Sequence, residues 1–214
     1  MIDLHTHSIF SDGELIPSEL ARRAVVHGYS TIAITDHVDF TNIEFVLGAM
    51  EKISDDTTGI RVLSGVELTH VPPEKIASLA DKARSLGAAI IVVHGETIVE
   101  PVAPGTNAAA LQADIDILAH PGLITADEAE LARENGILLE ITSRAGHSLT
   151  NGHVARIAHE IGCGLIVNTD THAPDDLITD DMAMKVAMGS GLSERDSVAA
   201  VRTNPERLVE SVRG

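Results

Sequence analysis

The chain has 214 residues and a formal net charge of −17, from 15 basic and 32 acidic residues, so we expect one sizeable domain whose acidic surface makes a long nucleic acid an unfavourable partner. Apolar runs fall short of the roughly 20 residues of a membrane span, and no secretory leader is recognisable. With a single cysteine, an internal disulfide framework is excluded, and we expect a cytoplasmic protein without a membrane partner.

A unit recurs along the chain: a segment of helical period, a glycine, a short apolar strand and a polar tip. Strands that are apolar throughout indicate burial on both faces, and their alternation with helices predicts parallel strands with crossover connections. Because ligand-type residues end strands all along the chain, a closed α/β barrel of the TIM type is favoured over an open sheet. The seven predicted strands cover residues 1–7, 31–35, 61–66, 88–93, 115–118, 137–141 and 165–168.

The sequence shows no internal linker, so residues 1–214 are interpreted as a single barrel domain. Residues 180–214 predict two or three helices that close the barrel, and Asn204-Pro205 is a typical helix start.

The first strand carries His5 and His7, which point to the same side if the strand alternates regularly. Alone, the pair has two interpretations, half of a transition-metal site or two hydrogen-bonded surface histidines. The other strand tips favour the metal site, because in a parallel barrel all carboxyl ends open onto one mouth. The nine candidate ligands are His5, His7, Asp12, His37, Glu67, His94, His120, Asp170 and His172.

Nine ligands, with Glu67 able to bridge, suit about three divalent ions that keep open positions. The histidine-rich set favours zinc, manganese or iron. Three such ions carry about +6 against −3 from the carboxylates, and a hydroxide with a phosphate dianion would balance that difference.

These residues occur in motifs that resemble the PHP (polymerase and histidinol phosphatase) family over nearly the whole chain. The motifs are Ile2-Asp3-Leu4-His5-Thr6-His7, Ser11-Asp12-Gly13, Thr35-Asp36-His37, Gly65-Val66-Glu67, His94, Ala119-His120-Pro121 and Asn168-Thr169-Asp170-Thr171-His172.

The resemblance implies a distorted seven-stranded barrel with a trinuclear site that hydrolyses phosphoesters. It also implies three ligand groups, in which Asp12 stands where some relatives carry histidine. The groups are His5, His7, Glu67 and Asp170 for the first metal, Glu67, His94 and His120 for the second, and Asp12, His37 and His172 for the third.

Two further residues follow the sixth strand. The Arg144 guanidinium suits a phosphate and is predicted to bind substrate and share the developing charge; the alternative is a surface arginine. His147 is predicted to bind substrate and to protonate the leaving alkoxide, or to have no chemical role. The loop of residues 95–107 contributes Glu96 and Glu100, which would recognise a substrate amine or only solvate the loop.

We interpret the chain as a metal-dependent phosphatase on a small phosphomonoester, similar to histidinol phosphate, attacked by a metal-bound hydroxide that bridges the first two ions. One alternative is a phosphodiesterase or exonuclease on short nucleotides. Another is a regulatory domain that metals stabilise and that has no turnover. The sequence makes no prediction of the oligomeric state.

Overall fold

A computed structural model describes residues 1–53 and 59–212, so the last two residues of the predicted C-terminal helices lie outside the described part. Each of the seven predicted strands is present, and β5 and β6 start two residues later than predicted. The strands are β1 (Ile2–Thr6), β2 (Thr31–Ile34), β3 (His37–Val38), β4 (Arg61–Leu68), β5 (Ile90–His94), β6 (Ile117–Ala119), β7 (Leu138–Thr142) and β8 (Leu165–Asn168).

All strand pairs are parallel, in the order β1-β2-β4-β5-β6-β7-β8. The two-residue β3, which the sequence did not predict, pairs with the end of β4. The two ends of this sheet meet, since His7 N–H donates to Thr171 O (2.8 Å) and Asp170 N–H donates to His5 O (3.0 Å). The predicted α/β barrel is therefore confirmed, as a nearly closed sheet of seven main strands.

Helices connect the strands around the outside of the barrel. Thr125 and Glu128 form a capping box at the start of the helix that precedes β7, and Gly136 ends this helix with φ of 71°. Residues 180–212 form three helices joined in part by a π-helical turn (Ala199–Thr203) that runs directly into the last one. The helices are α1 (Pro17–Val26), α2 (Ile43–Met50), α3 (Ile76–Ser85), α4 (Thr106–Ala110), α5 (Ala126–Asn135), α6 (Asn151–Ile161), α7 (Asp180–Gly189), α8 (Glu194–Val198) and α9 (Asn204–Ser211).

The barrel interior is apolar below the mouth. Val209 of α9 packs into this layer from the end opposite the mouth. Gly65 has no room for a side chain there, because a Cβ would lie 2.7 Å from Thr35 Cγ2 and 2.9 Å from Ile90 O. The interior cluster consists of Leu4, Ala33, Leu63, Ile90, Val92, Ile117, Ala119, Ile166 and Val209.

A β-bulge lies in β1 between Asp3 and Thr6, where the register with β2 shifts by one residue. Leu4 belongs to the interior cluster, and His5, the next residue, reaches the mouth. The regular alternation expected for this strand is therefore wrong. A bulge adds one residue and changes the direction of the side chains around it. The adjacent residues Leu4 and His5 can therefore both face the inside of the barrel.

Within the described ranges, no helix has the length and apolar character needed to cross a membrane.

Candidate metal centre

Four of the predicted ligands form the innermost group, which we call the deep position: His5, His7, Glu67 and Asp170. Glu67 Oε2 lies 3.4 Å from His5 Nε2 and 3.5 Å from His7 Nε2. Asp170 Oδ1 lies 3.6 Å from His5 Nε2 and 3.2 Å from His7 Nε2. All four side chains are essentially buried. The end of β1, the end of β4 and the segment after β8 thus bring two imidazoles and two carboxylates close together.

The spacing in the deep position matches that of metal ligands. Two ligand atoms each 2.0–2.1 Å from a tetrahedral ion lie about 3.3 to 3.4 Å from one another, and the four distances above run from 3.2 to 3.6 Å. Buried polar groups are normally hydrogen-bonded. Among the described residues, however, His5 Nε2, both nitrogens of His7 and Glu67 Oε1 are buried without a hydrogen-bond partner. The nitrogen nearest to Glu67 Oε2 is His37 Nδ1, at 2.8 Å. A bound cation would satisfy these atoms, so the residues fit a metal ion.

A second group, the lateral position, consists of Glu67, His94 and His120. His120 Nε2 lies 3.7 Å from Glu67 Oε1, the oxygen that does not contact the deep position. His94 and His120 approach edge to face, with ring centroids 4.4 Å apart. Buried His147 also offers a nitrogen within 4.8 Å of one from each of these two imidazoles. The single buried carboxylate of Glu67 thus joins the deep and lateral positions.

The third group, the rim position, consists of Asp12, His37 and His172. Asp12 Oδ1 lies 3.5 Å from His37 Nε2 and 3.2 Å from His172 Nε2. His7 stacks on His172 with ring centroids 4.2 Å apart and lies within ligand distance of this group as well. The Asp12 side chain is 58% exposed, so the rim position opens to solvent.

A carboxylate that the sequence did not predict, Glu140 of β7, orients the deep position from below. It is fully buried, its Oε1 lies 2.7 Å from His5 Nδ1, and it accepts hydrogen bonds from His120 N–H (3.0 Å) and Asn168 Nδ2 (3.0 Å). Metal-ligating histidines commonly donate their second nitrogen to such a carboxylate. The available signal was an acidic residue within the apolar strand 137–141.

Three other imidazoles of the mouth are held in the same way, through Nδ1. His94 Nδ1 lies 3.1 Å from Gly95 O, His172 Nδ1 lies 2.9 Å from Asp170 O, and His147 Nδ1 lies 2.9 Å from Thr97 Oγ1. In each ring Nε2 remains for a ligand, which is the orientation that a metal site requires.

Two ligands occupy strained backbone. His120 has φ of 27° and Asp170 has φ of 54°, a region that residues with a side chain seldom adopt. Such strain has a cost of order 1–3 kcal/mol and occurs mostly at functional sites. Here hydrogen bonds to Glu140 and to His5 hold the two backbone amides.

The Ser11-Asp12-Gly13 turn has its own support, which the sequence also missed. Buried Asp36 accepts hydrogen bonds from Ser8 N–H, Ser8 Oγ and Ser11 Oγ, each 2.7 Å long. The segment that carries Asp12 is therefore fixed, although the Asp12 side chain itself is exposed.

The pKa values of the predicted histidine ligands fall into two groups. Burial lowers the pKa of His7 and of His120 well below the usual range, which keeps these imidazoles neutral. Burial alone would also lower the pKa of His5 and of His37, but nearby carboxylates outweigh it, so the pKa of His5 is well above the usual range and that of His37 is about 9.

The two buried carboxylates differ as well. Burial alone would raise the pKa of Glu67, but the imidazoles of His5 and His37 outweigh it and hold that pKa well below the usual range. Burial raises the pKa of Asp170 to about 7. Metal ligands must be neutral imidazoles and ionised carboxylates, so His5, His37 and Asp170 would release protons when an ion binds.

Arg144 lies at the mouth, as predicted, and is already paired. Its Nη1 donates to Asp170 O (3.4 Å) and to Asp176 Oδ2 (3.3 Å), while Nε lies 3.6 Å from Asp170 Oδ2. The side chain is partly exposed, with donors left for an anion. His147 is buried, and burial lowers its pKa, which favours a ligand over the predicted general acid.

The chain is an α/β barrel whose strand ends gather imidazoles and carboxylates at one mouth, in groups that could hold metal ions. The PHP domain model matches residues 3–157, and this chain belongs to the PHP family. Asp170 and His172 lie beyond the matched range. Family membership supports a metal-dependent hydrolase of phosphoesters in general terms, without a particular substrate.

The chain is similar to several known proteins. The uncharacterized protein MJ1295 of Methanocaldococcus jannaschii is 52% identical over 98% of this chain and 99% of the relative. The DNA polymerase/3'-5' exonuclease PolX of Bacillus subtilis is 28% identical over 94% of this chain but only 39% of the relative. A probable phosphatase of Thermoanaerobacter sp. (strain X514) is 27% identical over 91% of this chain and 88% of the relative.

Among solved structures, a chain of archaeal ribonuclease P with mature tRNA shares the fold. The TM-score is 0.71 with 14% identity, over 99% of this chain and 89% of that chain.

Proposed function

We propose that the protein is a metal-dependent phosphatase that acts on a small phosphomonoester. The observation that supports it most is the set of buried, unsatisfied ligand atoms on His5, His7 and Glu67, spaced in the deep position as a divalent ion requires. About three zinc, manganese or iron ions would be held by the deep, lateral and rim positions.

Bound divalent ions supply Lewis-acid polarisation of a phosphoryl oxygen and bring the pKa of water near neutrality. The chain's own residues would hold the ions and orient the substrate. Glu140 fixes His5 by its Nδ1 and His120 by its backbone N–H. Arg144 stands next to Asp170 with unused donors, where a guanidinium would bind a terminal phosphate and stabilise the charge that develops in the transition state.

The acidic surface disfavours binding of long polyanions. A small anionic substrate can still bind, because the imidazoles and ions at the mouth set the local electrostatic field. A second candidate is a phosphodiesterase or exonuclease on short nucleotides, which the similarity to PolX over 94% of this chain favours.

The test is phosphate release by purified protein reconstituted separately with zinc, manganese and iron. Aryl phosphate monoesters and their matched diesters form one panel, and short nucleotides form another. We expect kcat/KM to be higher on the monoesters. Higher kcat/KM on diesters or nucleotides would favour the second candidate, and no turnover with any metal would refute both and favour a domain that metals only stabilise.

A further inference from the structure

The loop after β5, residues 95–105, is braced at its base. Glu96 Oε1 accepts hydrogen bonds from Gly105 N–H and Asn107 N–H (2.9 Å each), and Asn107 Oδ1 accepts one from Glu96 N–H (3.0 Å). Gly95 packs so closely that a Cβ would overlap Ala119 O. Of the two carboxylates in this loop, Glu96 therefore closes the loop on itself, and its oxygens are not offered to the mouth.

The other carboxylate, Glu100, enters the mouth between two imidazoles. Its Oε2 lies 3.1 Å from His94 Nε2 and its Oε1 lies 3.3 Å from His147 Nε2. These distances are close to the spacing of ligand atoms around a tetrahedral ion, about 3.3 to 3.4 Å. Glu100 therefore offers the lateral position a second carboxylate, as Asp170 does for the deep position.

Three imidazoles lie beside Glu100 in this part of the mouth. His94 Nδ1 lies 3.1 Å from Gly95 O and His147 Nδ1 lies 2.9 Å from Thr97 Oγ1, so both rings turn Nε2 toward the Glu100 carboxylate. His94, His120 and His147 are all buried, with ligand atoms within 4.8 Å of one another. Imidazole nitrogens that converge with a carboxylate form a donor set that suits a divalent transition-metal ion.

We propose that Glu100 and His147 are protein ligands of the lateral position, beside Glu67, His94 and His120. The 95–105 loop then closes over the lateral ion and is held there by it, with Thr97 anchoring His147 from the same loop. The inference rests on the metal centre of the proposed function. It adds two ligands to the lateral position. It also gives the loop a role, because the bound ion would order this wall of the mouth.

The test measures metal binding without turnover. Wild type, Glu100→Ala and Glu100→Gln are stripped of metal and titrated with cobalt(II) against a competing chelator, while the visible d–d bands report the coordination of each ion. Glu74→Ala, which removes an exposed carboxylate that is not among the candidate ligands, is the matched control. We expect one of the cobalt ions to bind about 10- to 100-fold more weakly in both Glu100 variants, with a changed d–d band, and the control to match wild type.

Hydrogen exchange provides a second readout. Cobalt should protect amides of residues 97–103 in wild type and in Glu74→Ala, and should protect them less in Glu100→Ala. Equal cobalt affinities and equal protection in wild type and the Glu100 variants would overturn the inference. This holds even if the variants have a lower KM, which would indicate that Glu100 only occupies the place of a phosphate. Wild type that binds cobalt and hydrolyses no ester would refute the proposed function alone.

Discussion

The deep position and the rim position lie side by side, yet their ligands are held very differently. Deep ligands are at most 3% exposed, and a buried carboxylate, Glu140, fixes His5 from behind. At the rim the Asp12 side chain is 58% exposed, His37 is 24% exposed and His172 is 12% exposed. A rim ligand that loses its ion is hydrated, whereas a deep ligand is left unsatisfied. Burial therefore predicts that the deep position binds metal tightly and that the rim position exchanges it.

The largest effect is expected from Glu67→Gln, which strikes the residue shared by the deep and lateral positions. An amide keeps the shape but removes the charge, so both positions should lose metal while the rim keeps part of its own. We expect kcat/KM on a monoester to fall by roughly 10³-fold, about 4 kcal/mol. Elemental analysis and steady-state kinetics measure the two effects, and full metal content in the variant would contradict the bridging role.

Removal of metal should separate the two positions by their order of release. A chelator should first take the rim ion, with little change in the melting temperature, and later the deep ion. At free metal near 100 times the dissociation constant, each independent site adds about 2.7 kcal/mol to the free energy of unfolding, which corresponds to several degrees for a chain of this size.

Calorimetry on protein with one, two and three ions removed would record this order. A melting curve that stays unchanged after complete removal would show that the metals do not bridge the barrel.

Arg144→Ala tests whether the mouth recognises a terminal phosphate dianion beside the deep position. A charged hydrogen bond to an anion is worth roughly 1.5–3 kcal/mol, so kcat/KM on a monoester should fall about 10- to 150-fold. Arg144→Lys should recover only part, because the planar fork is lost. Metal content should stay constant, since a guanidinium is not a ligand.

The matched diester is the control, because it offers one charge less. Equal losses on the two esters would refute the terminal-phosphate role, and unchanged kinetics would return Arg144 to the structural ion pair with Asp176.

The smallest effects are expected from the two supporting carboxylates. Glu140→Gln should weaken metal binding at the deep position about 10- to 100-fold, as is typical when the partner of a ligating histidine is altered. Asp36→Asn, the matched change behind the rim, should weaken the rim by less, since solvent already competes there. Cobalt titration of both variants measures the difference. A greater loss for Asp36→Asn would reverse the ranking of the two positions.

The sequence predicted the barrel and the convergence of nine polar side chains, because parallel strands bring their carboxyl ends together. It did not predict Glu140, since one acidic residue in an apolar strand reveals its partner only after β7 and β1 are placed in space. The bulge in β1 and the positive φ of His120 and Asp170 were equally hidden. These features depend on how the barrel closes, and no local sequence pattern indicates them. That these residues bind metal stays a prediction for the measurements above.

The seam between β1 and the segment after β8 has a consequence for biosynthesis. His5 and His7 leave the ribosome before Asp170, which is predicted to complete their site and follows 163 residues later. At 5–20 residues per second the interval is roughly 8 to 33 s. Throughout it, a nascent chain with two neighbouring imidazoles has no finished cage. We therefore expect metal loading of the deep position to follow the synthesis of β8, and chains made in a cell short of metal to be less stable at this seam.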